Sequence, residues 1–416
     1  TNVAVLNMML HFIIKNKLHN ADFVRDRTEG FDNFIKEIER QDVDELARVA
    51  GVDKQLVKEA AIAYATAKNS MEFHGLGVTE QEQGSKTVML IADLAMITGN
   101  IGRKGVGVNP LRGQNNVQGA ADMGCQPHQG AGYFEVSDEK NQKFYTEKYG
   151  VTHPTKAGLK IPQMFEAAIN KELKGLWIIG EDIVQTDPNS AHVVDAMNSL
   201  ELLVVQEIFM SETAKLATVV LPGTTFLEKD GTFTNTERRI QRVNRAVPPL
   251  PGTKPDGLIV TDMMQKLGFD QPTYDADQVL NEIADVVPFF KGVTRKRLGK
   301  LGLQWPVKED GTDTQILHTE TFKLGKGRLK NFDWKESSEI EANQKDYPLI
   351  LTTSRVLQHY NAATMTRRTK NINIVDEDVL LIHPKDAAYR DLNTGDIGRL
   401  YSGRGEVALK VEVTDK

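Results

Sequence analysis

The segment NPLRGQNNVQG, residues 109–119, combines one arginine with a run of amide side chains. Arg112 carries a planar, permanently charged guanidinium with five donors, which suits a carboxylate or a phosphate. The amides, each with the donor and acceptor that the edge of a heteroaromatic ring requires, are Gln114, Asn115, Asn116 and Gln118. Hydrophobic packing does not explain such a run, so we expect the segment to bind a ligand. The alternative is a polar surface loop, because Asn and Gly are ordinary turn residues.

The overall composition limits the class of protein. The chain has 416 residues, of which 40% are hydrophobic and 26% charged, and this is typical of a soluble globular protein with roughly two to four domains. No window of eighteen apolar residues occurs, so we expect no membrane span. The net charge of -6 argues against nucleic acid as a partner, since the basic pairs at 238–239 and 367–368 are too short to form a binding surface.

Cysteine and histidine usage limits the metal chemistry. The single cysteine, Cys125, excludes internal disulfides and any four-cysteine zinc or iron–sulfur site built from this chain alone. The nine histidines show no metal-ligand spacing, so the sequence predicts no metal ligand in this chain. The first residues, TNVAVLNMML, lack the basic region of a signal peptide and enter a helical pattern at once. We therefore expect the chain to be a fragment of a larger protein.

Hydrophobic periodicity predicts the elements that position these residues. A polar connection is predicted at 126–160, between two sets of alternating strands and helices. Such alternation is typical of doubly wound, Rossmann-like α/β/α domains with parallel sheets. Strands are predicted at 71–77, 176–179, 202–205 and 218–222. Helices are predicted at 3–14, 43–50, 53–67, 85–100, 190–200, 255–267 and 275–287.

Polar residues follow two of the predicted parallel strands. In such sheets ligands bind beyond the carboxyl ends of the strands. Gly180, Glu181 and Asp182 follow the strand at 176–179, and Gln206 and Glu207 follow the next. Carboxylates at these ends commonly accept hydrogen bonds from ribose hydroxyls or a guanine edge. Helix capping or a solvated loop is the alternative for each residue singly.

From residue 347 the apolar pattern changes to a period of two. It occurs in YPLILTTS (347–354), DVLLIHP (378–384) and IGRLYSGRGEVALKVEV (397–413), and it predicts the start of a β-barrel domain. The predicted domains are therefore 1–125, part of an α/β domain that carries Arg112; 126–338, a second α/β/α domain; and 339–416, the N-terminal part of a truncated barrel.

Two apparent nucleotide motifs do not fit their families. GVTEQEQGSKT, residues 77–87, resembles a phosphate-binding loop, but its first glycine is out of register and its Gly-Lys-Thr order is broken. HGLG, residues 74–77, has only the opening of a dinucleotide fingerprint. Neither motif supports ATP or NAD binding by this chain.

Six strings in a fixed order resemble the catalytic subunit of molybdenum- or tungsten-dependent formate dehydrogenases, in the dimethyl-sulfoxide-reductase superfamily. The resemblance extends from the first residue to the last, and NPLRGQNNVQG followed by DMG points to the formate dehydrogenase branch. The strings are GLGVTEQEQG (75–84), MITGNIGRKGVGVNPLRGQNNVQGAADMG (96–124), GEDIVQTDP (180–188), QEIFMSETA (206–214), LPGTTFLEKDGTFTNTERRIQ (221–241) and TTSRVLQHYNAATMTRR (352–368).

This resemblance implies a cytoplasmic enzyme, with a periplasmic one left open, that oxidises formate to carbon dioxide. It implies two molybdopterin guanine dinucleotides that hold Mo or W, and an iron–sulfur cluster that passes electrons to an electron-transfer subunit or a ferredoxin- or NAD-linked partner. It also implies that Arg112 binds the formate carboxylate. The cofactor-binding residues that it implies are Gln114, Asn115, Asn116, Gly180, Glu181, Thr186, Asp187, Gln206, Glu207, Met210, Asp230, Thr232, Asn235, Arg355 and His359.

The family's cysteine-rich cluster domain and its metal-bound selenocysteine or cysteine have no counterpart in this sequence. We expect them upstream of Thr1, so this fragment alone is expected to be inactive. Cys125 follows the DMG string, away from the position of the family's metal ligand, and is expected to be a small buried or interfacial thiol. Two alternatives stay open: a related molybdopterin oxidoreductase such as a nitrate reductase, and a non-catalytic binding module.

Overall fold

The computed structural model describes residues 1–415. Its helices are α1 (Asn2–Lys15), α2 (Ala21–Arg27), α3 (Phe31–Glu39), α4 (Val43–Ala50), α5 (Lys54–Thr66), α6 (Leu76–Thr79), α7 (Gly84–Ile97), α8 (Val117–Asp122), α9 (Glu139–Tyr149), α10 (Ile161–Ile169), α11 (Ile183–Thr186), α12 (Ser190–Asn198), α13 (Glu212–Lys215), α14 (Asp256–Lys266), α15 (Ala276–Val286), α16 (Arg295–Leu298), α17 (Ser338–Asn343) and α18 (Pro384–Tyr389). Its strands are β1 (Thr28–Glu29), β2 (Met71–His74), β3 (Gly107–Pro110), β4 (Gln129–Gly130), β5 (Phe134–Glu135), β6 (Gly175–Ile179), β7 (Leu202–Glu207), β8 (Val219–Pro222), β9 (Gly231–Thr234), β10 (Arg239–Val243), β11 (Leu303–Gln304), β12 (Gly327–Arg328), β13 (Val379–Ile382), β14 (Ile397–Ser402) and β15 (Gly405–Val413). Short 3-10 helices lie at Phe226–Glu228, Pro288–Phe290, Thr366–Arg368 and Lys370–Asn373.

The described chain divides into two compact units, each assembled from separate segments. The first unit contains Thr1–Ala157, Gly231–Val243 and Asp275–Glu341. The second unit contains Gly158–Asp230, Asn244–Tyr274 and the residues from Ala342 onward. The chain therefore passes from one unit to the other several times. The division into domains at 1–125, 126–338 and 339–416 stays a prediction.

The N-terminal helices form the largest core of the first unit. Met8, Leu10 and Ile13 of α1 are fully buried, and α3, α4, α5 and α7 pack around this helix. A helix that is apolar on most of its surface is stable only when neighbours cover it on several sides. Leu90 and Leu94 of α7 belong to the same core. The helices predicted in this region are confirmed.

Strands β2 and β3 place the arginine-containing segment. They pair in parallel from Met71 opposite Gly107 to His74 opposite Pro110. The Leu111 N–H donates to the His74 carbonyl at 2.7 Å, which continues the ladder one residue beyond β3. The predicted unit of strand, loop and helix is confirmed as β2 followed by α7, but the strand ends at His74 and not at residue 77, because the short helix α6 begins at Leu76. Residues after Leu111 therefore begin at the carboxyl end of a strand pair.

A second sheet of the first unit is antiparallel, with β10 between β9 and β11. Ile240 of β10 is fully buried and packs in a core with Val287, Phe290 and Val293. Trp305, which follows β11, packs at the edge of this core. The sheet and this core therefore position Trp305 and the end of β9.

The second unit contains the three-stranded parallel sheet β6–β7–β8. Its core joins Phe165 of α10 and Val193 of α12 to Leu203 and Val205 of β7. Parallel strands that alternate with helices were predicted here and are confirmed. The strand order of this sheet follows the sequence, without the reversal of a doubly wound sheet among the described strands, so that finer assignment stays a prediction.

The C-terminal sheet of the second unit has the order β13–β15–β14. β14 and β15 form the predicted hairpin, with Ile397 opposite Lys410 and Ser402 opposite Gly405. β13 pairs with β15 in parallel. These strands do not close into a barrel within residues 1–415, so the barrel domain stays a prediction.

Two expectations about local structure were wrong. YPLILTTS forms no strand, because no described strand pairs with it, and Leu349, Ile350 and Leu351 are exposed. An apolar pattern with a period of two favours an extended segment, but a strand also requires a neighbouring strand with which it can pair. The polar connection at 126–160 contains the helix α9, which Asp138 caps by accepting from the Lys140 N–H at 2.8 Å. The apolar periodicity of α9 is too weak to predict this helix, because Tyr145 is its one buried residue.

Candidate active site

The Arg112 loop, residues 111–116, joins β3 to α8 in the first unit. The Arg112 N–H donates to Thr236 Oγ1 at 3.0 Å, and Asn116 Oδ1 accepts from the Thr234 N–H at 2.9 Å. Asn116 has a φ of 60°, a left-handed conformation that asparagine adopts more readily than most residues. The loop is therefore attached at both ends to β9 and the turn after it, while the Arg112 side chain is exposed.

The other predicted residues of the loop are polar and accessible. Gln114 and Asn115 are exposed, and neither side chain has a hydrogen-bond partner among residues 1–415. A Cβ on Gly119 would lie 2.1 Å from Asn116 Oδ1, so a side chain there would displace this oxygen from its bond with the Thr234 N–H. The loop thus combines a fixed backbone with amides that are open to a ligand.

Buried polar side chains extend from Arg112 into the first unit. Arg112 Nε donates to Gln118 Oε1 at 3.1 Å, and Gln118 Nε2 donates to Asp122 Oδ1 at 2.8 Å and to the Tyr133 hydroxyl at 2.9 Å. The Tyr133 hydroxyl donates to Asp122 Oδ1 at 2.7 Å, and Trp305 Nε1 donates to Asp122 Oδ2 at 2.9 Å. We call these five residues the Arg112 network.

Burial and charge act in opposite directions on Asp122. Burial raises the pKa of its carboxyl group, while the three hydrogen bonds that it accepts and the nearby Arg112 charge lower it. His74, at the end of β2, is buried, and its Nδ1 has no partner among the described residues. Burial lowers the pKa of His74, and the Arg112 charge lowers it further. Asp122 and His74 are therefore buried next to the Arg112 loop, whereas the Arg112 side chain itself is exposed.

Sequence reasoning missed most of the Arg112 network. Gln118 and Asp122 lie four residues apart, the spacing that places two side chains on one face of a helix, and this signal was available. Tyr133 lies 11 residues from Asp122 and Trp305 lies 183 residues away. No local pattern links residues at such separations.

The end of strand β6 carries several predicted cofactor-binding residues of the second unit. Gly180 has a φ of 66°, and a Cβ there would meet nothing within 4 Å. Glu181 is exposed, and its Oε1 accepts from the Thr186 hydroxyl at 3.0 Å. Burial and the Glu181 charge raise the pKa of Asp187. Asp182 instead accepts from the Thr213 N–H at 3.0 Å, so the capping alternative applies to it.

The end of strand β7 carries two more of these residues. Gln206 is 1% exposed, and its Nε2 donates to Asp256 Oδ1 at 2.7 Å. Gln206 Oε1 is buried without a partner in the part of the chain described. Glu207 accepts from the Ile208 N–H at 2.7 Å, and burial raises the pKa of Glu207. The unpaired Gln206 Oε1 and the partly buried Glu207 carboxylate thus lie at this edge of the sheet.

Met210, Arg355 and His359 have different surroundings in the second unit. The exposed Met210 accepts a bond through its carbonyl from Arg368 Nη2 at 3.1 Å, and the sequence analysis did not select Arg368 as a site residue. Arg355 is exposed. His359 is buried, with Nδ1 at 3.0 Å from Thr366 Oγ1 and Nε2 at 2.7 Å from a backbone carbonyl. A cofactor contact by the His359 ring therefore requires one of these bonds to be replaced.

Three predicted residues of the GTFTNT region fall in different units. Asp230 belongs to the second unit and accepts from the Arg245 N–H at 3.1 Å. Thr232 and Asn235 belong to the first unit, where Thr232 lies in β9. Asn235 Oδ1 accepts from the Glu237 N–H at 3.0 Å and thereby closes the turn after β9. The roles of all three toward a cofactor stay predictions.

Residues 1–415 contain neither a cluster of metal-binding side chains nor a membrane-spanning helix. No group of three or more His, Cys, Asp or Glu side chains that could hold a metal ion occurs in this range. Cys125 is a free, exposed thiol and not a buried one. Within the same range, no helix combines the length and apolar character that crossing a membrane requires.

Two protein-family models match the sequence. The molybdopterin oxidoreductase model matches residues 1–266, and the molydopterin dinucleotide binding domain model matches residues 349–416. The first match covers more than half of the 416 residues. The chain belongs to the molybdopterin oxidoreductase family.

Relatives of this molybdopterin oxidoreductase chain include formate dehydrogenase subunits. It is 42% identical over 419 residues to the F420-dependent formate dehydrogenase subunit alpha of Methanocaldococcus jannaschii. It is 34% identical over 431 residues to formate dehydrogenase H of Escherichia coli. Both alignments contain 100% of this chain but 62% and 59% of the relatives. The chain thus spans about three fifths of their length.

One solved structure has a similar fold. The structure of acetylene hydratase from Pelobacter acetylenicus superimposes with a TM-score of 0.73 over 99% of this chain and 61% of the other. The sequences are 18% identical in this comparison, so the likeness concerns the fold alone. The mixed α/β fold that the sequence predicts is confirmed at this level.

Proposed function

We propose that the protein containing this chain oxidises formate to carbon dioxide, a proton and two electrons, and that Arg112 binds the substrate. The observation that carries this proposal is the free edge of the Arg112 guanidinium. Nε is bonded to Gln118 at 3.1 Å, whereas Nη1 and Nη2 have no partner among residues 1–415. Two parallel N–H groups match the two oxygens of a carboxylate. Similarity to two formate dehydrogenase sequences supports formate as that carboxylate.

The second unit is proposed to bind the guanosine diphosphate end of a molybdopterin guanine dinucleotide at the carboxyl edge of β6–β7–β8. The match to a molydopterin dinucleotide binding domain at residues 349–416 supports this cofactor class. The buried, unpaired Gln206 Oε1 and the open space at Gly180 fit such a ligand. Glu181, Asp187 and Glu207 supply carboxylates that accept from guanine N–H groups and ribose hydroxyls.

In the first unit, Gln114, Asn115 and Asn116 are proposed to hold the pterin ring edge beside Arg112. Thr232 and Asn235 are proposed to contact the cofactor in the first unit as well. In the second unit the other proposed contacts are Asp230, Met210, Arg355 and His359. The roles toward the cofactor rest on the family resemblance and on the polar, accessible character of most of these side chains. His359 is the least accessible of them, since both its ring nitrogens have protein partners.

The remaining parts of the proposal concern the whole protein. Two molybdopterin guanine dinucleotides with Mo or W supply the two-electron redox chemistry when bound. We place an iron–sulfur cluster in the protein outside this chain, with an electron-transfer subunit or a ferredoxin- or NAD-linked protein as the partner. The family resemblance also favours doubly wound sheets, a barrel built from β13–β15 and further strands, the three domains of the sequence analysis and a cytoplasmic location.

Formate-dependent dye reduction by the full-length, cofactor-loaded protein tests the proposed activity. Nitrate-dependent oxidation of the reduced dye is measured in parallel, because nitrate is also a small planar anion that a guanidinium binds. We expect turnover with formate and none with nitrate. Turnover with nitrate alone identifies a nitrate reductase. No turnover with either anion, at full metal and pterin content, supports a non-catalytic module and overturns the proposal.

A further inference from the structure

We propose that Asp122 is a positioning residue for formate binding: through Gln118 it fixes Arg112 so that the Nη1 and Nη2 groups face the substrate. This inference rests on the proposed function, because it assigns the orientation of the arginine that binds formate. It concerns a residue that touches neither the substrate nor the cofactor and acts through another side chain. Tyr133 and Trp305 hold Asp122 in place by donating hydrogen bonds to its carboxylate.

The Asp122 carboxylate is fixed on both of its oxygens. Oδ1 accepts from Gln118 Nε2 at 2.8 Å and from the Tyr133 hydroxyl at 2.7 Å, and Oδ2 accepts from Trp305 Nε1 at 2.9 Å. Asp122 has no exposed surface. The three donors favour one orientation of this buried carboxylate, because rotating it away breaks bonds on both oxygens, and loss of the Trp305 bond alone leaves Oδ2 without a partner.

The carboxylate in turn decides which way the Gln118 amide points. An ionised carboxylate only accepts hydrogen bonds, so the NH₂ group of Gln118 has to face Asp122. The amide oxygen then faces the opposite way and accepts from Arg112 Nε at 3.1 Å. A reversed amide would set two donors against each other at Arg112. The negative charge of Asp122 therefore determines the acceptor that Arg112 meets.

The amide between the two charges has an electrostatic consequence. A carboxylate bonded directly to Arg112 would neutralise the guanidinium and compete with an anionic substrate. Gln118 Oε1 is neutral, so it holds Nε without balancing the charge. The edge that remains is the Nη1 and Nη2 edge, which suits bidentate binding of a carboxylate. Asp122 and Gln118 thus fix the orientation of the guanidinium, and Arg112 supplies the positive charge.

Asp122→Asn in the full-length, cofactor-loaded protein tests the orientation. Asparagine has nearly the same shape, but its NH₂ group opposes Gln118 Nε2 or Trp305 Nε1 as a second donor. We expect KM for formate to rise about ten- to a hundredfold, the range for a weakened hydrogen bond to a charged group, with a smaller change in kcat. Asp93→Asn is the matched control, because Asp93 is a second buried carboxylate of the first unit, without contact to this network.

Gln118→Glu tests the charge argument separately. It places a carboxylate against Arg112, so formate affinity is expected to fall, and to fall more steeply as the pH rises and the new group ionises. Tyr133→Phe removes one donor from Asp122 and keeps the ring. It is expected to raise KM by a smaller factor than Asp122→Asn, and it serves as the second variant if Asp122→Asn does not fold.

Binding without turnover provides the independent measurement. Formate is added to the reduced wild-type protein and to each reduced variant, with no electron acceptor present, and the shift in Tm is recorded at increasing formate concentrations. We expect the wild type and Asp93→Asn to respond alike, and the network variants to need more formate for the same shift. KM values and Tm shifts within twofold of wild type in both Asp122→Asn and Gln118→Glu would overturn the inference. If the wild type binds formate but does not oxidise it, the proposed function fails, and the Tm shifts alone decide the positioning role.

Discussion

Arg25 and Arg112 show how the partners of a guanidinium decide what else it binds. Arg25 donates to Asp22 at 2.7 Å and to Asp26 at 2.7 and 2.8 Å, so two carboxylates of the chain balance its charge. Arg112 donates through its side chain to the neutral amide oxygen of Gln118. An incoming anion therefore meets the full charge of Arg112, whereas at Arg25 it has to displace a carboxylate.

Arg112→Lys is expected to reduce kcat/KM for formate by about ten- to a hundredfold in the full-length protein. Lysine keeps the positive charge, but it lacks the fork that donates two parallel bonds to a carboxylate and the Nε group that bonds to Gln118. Steady-state formate oxidation measures the effect, and elemental analysis verifies that metal is retained. Arg25→Lys is the control and should match the wild type. A kcat/KM within twofold of wild type in Arg112→Lys would refute this role.

Asp187→Ala and Glu207→Ala are expected to lower the pterin content of the full-length protein more than the rate per bound pterin. These carboxylates are proposed to contact the guanosine, which is remote from the reacting centre. Pterin fluorescence after oxidation and elemental analysis measure the occupancy. Glu201→Ala is the control, because Glu201 is exposed, just before β7, and pairs with Lys174. Unchanged pterin content in both variants would contradict the placement of the guanosine.

At the scale of elements, α8 depends on one residue with an unusual backbone. Asn116→Ala removes the bond to the Thr234 N–H and places alanine at a φ of 60°. The lost bond costs about 1 kcal/mol and the left-handed conformation about 1–2 kcal/mol more. Asn116→Gly has only the first cost. Hydrogen–deuterium exchange over residues 109–122 should therefore accelerate more in Asn116→Ala than in Asn116→Gly. Equal exchange in the two variants would show that the backbone conformation is not under strain.

The elements around the Arg112 loop differ in how far the sequence predicts them. The helix predicted at 85–100 is α7, Gly84–Ile97, because its apolar residues repeat with a helical period over several turns. β3 was not predicted, since Val108 is its one β-branched residue and its first and last residues are Gly107 and Pro110. Its extended form depends on pairing with β2, which is a tertiary interaction. Residue types thus predicted that this loop binds a ligand, but not the strand that carries it.

In the candidate site, too, the sequence predicts the residue types but not the tertiary contacts. Arg112 and the amides after it were selected because their types are unusual together. Asp122 was not selected, although it lies one turn of α8 after Gln118. Its importance follows from Tyr133 and Trp305, which no spacing rule connects to it. Buried networks between distant segments are decided by packing, and a single sequence does not contain that information in local form.

At the scale of the whole molecule, two buried carboxyl groups affect how stability depends on pH. Glu72 accepts a hydrogen bond from the Tyr64 hydroxyl, and Asp93 accepts one from the Lys330 N–H at 3.4 Å. Burial raises the pKa of Glu72 to about 8 and the pKa of Asp93 to about 8. Carboxyl groups in an unfolded chain titrate near 4. Between about pH 4 and about pH 8 these two groups therefore bind more protons in the folded protein than in the unfolded one, and their contribution to stability falls as the pH rises.

The double variant Glu72→Gln with Asp93→Asn is expected to flatten this dependence. Its Tm should exceed that of the wild type at about pH 8–9 and differ little at about pH 5, because each pKa unit corresponds to about 1.4 kcal/mol. Both new side chains still accept the existing hydrogen bonds. Thermal unfolding across this pH range measures the effect, with Glu45→Gln as an exposed control. Parallel curves for the wild type and the double variant would show that these groups are ionised in the folded state.

The segmented first unit also determines when it can form during protein synthesis. Asn7 Nδ2 in α1 donates to the Phe332 carbonyl at 2.8 Å, and Arg328 bonds Glu29 across 299 residues. A ribosome adds about 5–20 residues per second, so roughly 15–60 s separate the synthesis of Glu29 from that of Arg328. Throughout that interval the N-terminal helices lack Phe332 and Trp334, which cover their core. The growing chain therefore exposes this apolar surface throughout that interval, and we expect chaperones that bind nascent chains to recognise it.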